Sequence, residues 1–326
     1  MLKKSMAVLA VSTLGLTGCA ATEESLTLYS GRKETLVQPL LDQFTADTGI
    51  EVEVRYAGTS ETAALILEEG ENTQADVLFG VGGAALGALS RGGAFVEIDQ
   101  ELLDLVPAKF RSVDDDWVGT SGRARIMVYN KQNVTETPES VMELAGAEWK
   151  DRIAIAPSYG SFQAFVTAMR VIEGDDATLE WLNAMSENAL VFNKDEEVME
   201  AVESGTADAG LVNHYYFYRR GVEDGFENLR SEAGFFGSND VGNLVNVAGV
   251  GMLNDSDNAK AFVEYLLSDK GQQYFSDETM EYPLTGTVQP SERLIPLDEV
   301  PTAELDLNDI DQLDRTLELM REAGLL

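Results

Sequence analysis

Short apolar runs alternate with helix-periodic runs along this chain, at a spacing that leaves few folds open. Residues 26–30 read as a strand. In residues 34–47, Leu36, Val37, Leu40, Leu41 and Phe44 recur at helical spacing, and Gly49 stops them. Residues 50–56 alternate as a half-buried strand does, 60–69 form a second helix ended by Gly70, and 75–79 form a third strand. A second series begins beyond Trp149: strand 153–156, helices 162–173, 176–187 and 198–204, and strand 208–212. Another buried strand lies near 244–251, and helices at 260–267, 270–276 and 313–323 finish the chain. Repeated strand and helix at this spacing mean an α/β protein with a largely parallel sheet. Two such series exceed one compact core, and no Pro- or Gly-rich linker separates them. Strands such as 123–129 and 244–252 are therefore expected to run from one lobe into the other, with a cleft between.

The ends and the charge narrow the setting. Lys3 and Lys4 open a segment whose apolar run, 6–16, is too short to span a membrane. It ends in Leu16-Thr17-Gly18-Cys19, which resembles the lipobox of bacterial lipoproteins. That resemblance implies a signal peptide at 1–18, lipid on Cys19 and a tether over 19–25. Cys19 is the only cysteine, so the domain has no disulfide and no thiol metal site. The 57 acidic residues against 23 basic, a net charge of −34, disfavour nucleic acid and anionic membrane surfaces as partners.

The candidate site residues follow strands. Residues 208–212 run into Asn213, His214, Tyr215 and Tyr216, just beyond the carboxyl end of a strand, where α/β proteins place ligands. Tyr29 to Arg32, Arg123 and Ser158 to Ser161 also stand at strand ends. One histidine, His214, leaves no multi-histidine zinc site, and no Gly-x-Ser-x-Gly elbow accompanies it. Gly80-Val81-Gly82-Gly83-Ala84-Ala85 fits a dinucleotide fingerprint, but Arg91-Gly92-Gly93 ends its helix early and the domain's first strand–helix turn is elsewhere. Phenols with arginines suit either an organic anion or a hard, highly charged cation such as ferric iron, with an anion on the arginines. A carboxylate-based hydrolase is the reading from another class, since so acidic a chain always offers some acid pair.

The mature chain resembles, over nearly its whole length, the ferric-iron-binding periplasmic proteins of ABC transporters. The resemblance rests on Leu28-Tyr29-Ser30-Gly31-Arg32, Thr48-Gly49-Ile50, Glu68-Glu69-Gly70, Ala75-Asp76-Val77, Ser121-Gly122-Arg123-Ala124-Arg125, Trp149-Lys150-Asp151-Arg152-Ile153, Asn213-His214-Tyr215-Tyr216 and Glu281-Tyr282-Pro283-Leu284. It implies an α/β, two-lobed type II periplasmic binding fold, each lobe a mixed, mostly parallel sheet flanked by helices. The expected lobes are 26–123 with about 248–285, and 124–247 with about 286–326. It implies Tyr215 and Tyr216 as metal ligands. Some members add a histidine from the first loop, where this chain has Arg32-Lys33, and a glutamate where it has Val81. Others use a third tyrosine and a bound carbonate; Tyr159 falls at that third position. Arg32 and Arg123 then become anion holders, with Ser161 and Asn193 lining the anion site. His214 is expected beside the site rather than in it, and Tyr29 in packing. The implied function is a monomeric receptor rather than an enzyme, lipid-anchored in the periplasm or cell envelope. It would carry Fe3+ with carbonate to an inner-membrane ABC transporter permease, its only membrane contact being the anchor. A receptor for an organic anion or another metal is the alternative on the same architecture.

Overall fold

The computed structural model describes residues 25–310 and 312–326. Its first series runs β1 (Leu26–Ser30), α1 (Glu34–Thr48), β2 (Val52–Tyr56), α2 (Thr59–Glu69), β3 (Val77–Val81), α3 (Gly83–Arg91) and a short α4 (Gln100–Leu103) into a long β4 (Trp117–Asn130). The second runs β5 (Ile153–Ile155), α5 (Gly160–Glu173), α6 (Asp175–Asn188), β6 (Ala189–Val191), α7 (Asp195–Ser204), β7 (Ala209–Asn213), α8 (His214–Asp224) and β8 (Ser231–Gly234). The chain closes with β9 (Val245–Met252), α9 (Asp257–Leu267), α10 (Asp269–Asp277), β10 (Tyr282–Pro283) and α11 (Leu313–Glu322).

Strand β4 joins two sheets. Its first half, Trp117 to Ala124, pairs antiparallel with β9, which pairs with β3, and β1 lies parallel between β3 and β2. Its second half, from Arg125, pairs antiparallel with β7 and β8, and β5 lies parallel between β7 and β6. Two lobes thus share one continuous strand; the inner parallel strands β1, β3, β5 and β7 are largely buried, while β2 and β6 form half-exposed edges.

Sequence periodicity finds β4 only from Arg123, yet it is 14 residues long and buried along nearly its whole length. The missed half contains Gly119 and Gly122, which dilute the apolar pattern. A Cβ on Gly119 would meet the Phe110 carbonyl oxygen at 2.7 Å, and one on Gly122 would meet Tyr282 Cβ at 3.2 Å, so these glycines mark close approach rather than a loop. Strand β9 stays within the first lobe's sheet, pairing with β3 and the first half of β4. The return crossing falls ahead of it, where the Arg125 N–H donates to the Leu244 carbonyl at 2.8 Å.

Aromatic residues fill both lobes. Phe44, Phe79 and Phe262 meet edge to face under the first sheet, and Phe162, Phe165 and Trp181 pack together under the second. Each side chain so buried contributes about 1.5–3 kcal/mol. The Trp181 indole N–H donates to the Val141 carbonyl at 2.9 Å, which satisfies its one polar atom.

Candidate metal centre

The tyrosines come from two strand–helix junctions of the second lobe. Strand β7 is buried throughout, and Asn213 is its last residue and the N-cap of α8, with extended φ −75° and ψ 142°. Tyr215 and Tyr216 therefore lie in the first turn of α8. Tyr159 precedes α5 in the same extended geometry, φ −85° and ψ 132°. The Tyr159 and Tyr216 hydroxyl oxygens are 2.8 Å apart, and the Tyr215 and Tyr216 rings pack with centroids 4.4 Å apart. Burial, with Tyr215 beside them, pushes the Tyr159 and Tyr216 phenols well above the ordinary tyrosine range. Both are neutral in the metal-free protein.

The opposing wall comes from the first lobe. Arg32 lies just beyond β1, over the rings of Phe79 and Phe275. Its two terminal nitrogens donate to the Glu281 carboxylate at 3.0–3.1 Å, both side chains being 1% exposed. The Ser121 hydroxyl donates to the same carboxylate at 2.6 Å. Burial alone would raise the Glu281 pKa, but Arg32, Arg123 and the Ser121 bond outweigh it and hold the carboxyl below its usual value. Arg123 donates from Nη2 to the Val247 carbonyl at 2.9 Å, while its Nε is buried without a hydrogen-bond partner. Lys33 reaches across, pairing with Glu196 and donating to the Tyr216 hydroxyl at 3.3 Å.

The cleft between the walls, about 620 Å³, is lined by Arg32, Lys33, Arg123, Tyr159, Ser161, Tyr215 and Glu281 among others. Tyr216 lines a neighbouring pocket of about 410 Å³ with Glu196, Arg219 and Met280. Of the residues singled out in the sequence, the cleft thus gathers Tyr159, Tyr215, Arg32, Arg123 and Ser161, with Tyr216 bonded to Tyr159 at its edge. Asn193 is exposed and stands outside the lining. His214 is wholly buried behind the tyrosines. Its Nδ1 accepts the Ala124 N–H at 3.2 Å, its ring stacks on Tyr282, and burial pushes its pKa down to about 4. Tyr29 packs in the first lobe's core with its hydroxyl toward Glu69. Cys19 lies outside the described residues.

The sequence motifs assign no role to Glu281 or Glu196 and mark Lys33 only as part of the Arg32-Lys33 step that stands in place of a histidine. Glu281 sat inside a matched motif, which was a signal; nothing local marks Glu196 as a partner of Lys33 from the other lobe. Among the described residues no group of three or more His, Cys, Asp or Glu side chains is arranged to hold a metal ion. A metal here therefore depends on the phenols.

Two lobes on a shared strand, with polar groups from both facing one cleft, define a solute-binding protein of the two-lobed kind. Residues 72–312 match the model of the bacterial extracellular solute-binding proteins, and the chain belongs to that family. It is 31% identical to the Fe(3+)-binding periplasmic protein of Serratia marcescens, over 94% of this chain and 92% of that one. The crystal structure of iron-bound HitA from Pseudomonas aeruginosa superposes with a TM-score of 0.87 at 30% identity, over 92% of this chain and 99% of that chain. Trichodesmium IdiA (FutA), in complex with iron and citrate ligands, superposes with a TM-score of 0.79 at 28% identity, over 93% and 100%. These neighbours have the type II, two-lobed periplasmic binding fold, which this chain shares.

Proposed function

We propose that this protein captures ferric ion in the cleft, with Tyr159, Tyr215 and Tyr216 as phenolate ligands, and delivers it to an ABC transporter permease rather than catalysing a reaction. The observation that carries the reading is the 2.8 Å spacing of the Tyr159 and Tyr216 hydroxyls, with Tyr215 packed beside them. A six-coordinate ion with bonds of about 2.0–2.1 Å holds neighbouring oxygens roughly 2.8–3.0 Å apart. Both junctions lie at helix N-termini, whose partial positive charge favours the phenolate form. The ferric relatives support iron as the ion.

The synergistic anion is carbonate. Arg123, with its unpartnered buried Nε, is the group that takes it. Arg32 is already answered by Glu281, so it braces the wall instead, and Ser161 lines the same space. Closure of the lobes about β4 completes the site. Lipid at Cys19 would tether the protein in the envelope; labelling by radioactive palmitate, lost in Cys19→Ala, tests this.

Ferric ion with bicarbonate should turn the purified protein orange to purple through phenolate-to-iron charge transfer, and Tyr215→Phe should abolish the colour. A wild type that stays colourless, with an unmoved melting temperature, sinks the reading. The cleft volume of about 620 Å³ favours a second reading, an organic-anion receptor, because it exceeds what an ion and a carbonate fill. Iron-free citrate that raises the melting temperature as much as ferric ion does would select it.

A further inference from the structure

Behind the phenols lies a buried ion pair that touches neither the cleft nor the proposed metal ligands' hydroxyls. Arg125 opens the half of β4 that pairs with β7. Its Nη1 donates to Asp195 Oδ2 at 2.8 Å and to Asn213 Oδ1 at 3.4 Å, and its Nη2 donates to the Leu211 carbonyl at 2.8 Å. Asp195, the first residue of α7, accepts the Asn213 backbone N–H at 3.2 Å. Asn213 passes the connection on, donating from Nδ2 to the Ser161 hydroxyl at 3.0 Å in the first turn of α5. The chain of contacts ends within two residues of the phenols on each side: Asn213 precedes Tyr215 by two, and Ser161 follows Tyr159 by two.

The Arg125 and Asp195 side chains are 3% and 0% exposed, and Asp195 Oδ1 has no hydrogen-bond partner. A carboxylate in that state is costly, and a buried ion pair contributes little to stability compared with apolar side chains of the same volume. Fold stability is therefore a poor reason for it to be here. What the pair does is geometric: it fixes the junction of β7 and α8 against α7 and, through Asn213, against α5.

We propose that Arg125 and Asp195 are positioning residues for metal capture, locking the Asn213–Ser161 contact so that Tyr159 and Tyr216 stay at the spacing one ion spans. The proposal rests on the ferric reading of the cleft. Groups that orient a metal's ligands from behind are worth about 10- to 100-fold in affinity.

The test uses the Arg125→Met/Asp195→Leu variant, which removes both charges together and leaves neither buried alone. It should melt near the wild type yet bind ferric ion about 10- to 100-fold more weakly, with a shifted charge-transfer maximum. A crystal structure of that variant without metal should show the Tyr159–Tyr216 hydroxyl contact broken. Asp195→Asn keeps an acceptor for Arg125 and for the Asn213 N–H, and should restore both affinity and band. If the double variant fails to fold, Asn213→Ala, which cuts the connection between the pair and α5, should give the same loss. Wild-type affinity and an unshifted band in the folded double variant or in Asn213→Ala overturn the proposal. A wild type that takes no ferric ion overturns the metal reading instead, and the metal-free spacing of Tyr159 and Tyr216 still decides whether the pair is their frame.

Discussion

Among single residues, the chemistry of the cleft depends on which charges already have a partner. Arg32 and Glu281 answer each other in full burial. Glu281→Ala leaves the guanidinium buried and unpaired and should cost about 3–5 kcal/mol in urea denaturation. Because the fold holds Glu281 below its usual pKa, its contribution is complete above the unfolded value of about 4.3 and disappears as pH falls through the folded value. The difference between wild type and variant should therefore narrow in acid. The phenols act in the opposite sense. Burial keeps Tyr159 and Tyr216 protonated, so on the proposed ferric reading each would lose a proton to bind as phenolate. Ferric affinity should rise by about tenfold per pH unit for each proton released, which titrations at several pH values will measure. Tyr215-Tyr216 is conspicuous in the sequence, as a doubled phenol after a buried strand. Nothing local ties Tyr159 to it, since the two lie 57 residues apart.

Among elements, the legible parts were those whose ends carry their own signals. Helix α1 stops at Gly49 and α7 at Gly205, both left-handed, a conformation glycine adopts without strain. Helix α9 starts at Asp257, ahead of its apolar period, because the Ser256 hydroxyl accepts the Ala259 N–H. The first half of β4 was illegible because its glycines answer to Phe110 on the preceding loop and to Tyr282 and Leu284 far along the chain, and its hydroxyls to Ala248 and Glu281. Gly119→Ala should drive a methyl into the Phe110 carbonyl and cost about 1–3 kcal/mol, read from the urea midpoint. An unchanged midpoint would mean that the close approach at Gly119 does not constrain this strand.

At the scale of the molecule, Lys33 is a side chain that crosses the cleft from the first lobe to the second, meeting Glu196 and Tyr216. The pair is more than a third exposed on both sides, so its loss costs stability only about 0–1 kcal/mol. Its effect should be on shape. Lys33→Ala should enlarge the radius of gyration of the metal-free protein in small-angle scattering, with little change in melting temperature. A radius identical to wild type would remove Lys33 as a cross-cleft tie. The net charge of −34 acts on the whole chain by self-repulsion, so the melting temperature of the metal-free protein should rise as salt is added.

The sequence by itself determined the α/β class, the alternation of strands and helices in both series, and the placing of Arg32, Tyr159 and the Tyr215-Tyr216 pair just beyond strands; Arg123, expected to open a strand, instead lies in the middle of β4. Period, caps and turn residues are local properties, and the chain carries them wherever it goes. The tertiary structure alone decided that Arg32 is neutralised by Glu281, 249 residues away, and that His214 lies behind the site and Asn193 outside it. It also decided that Arg125 meets Asp195, 70 residues away, in full burial. Those are questions of which buried charge meets which, and desolvation makes the answer matter only once each lobe has folded around its own pair.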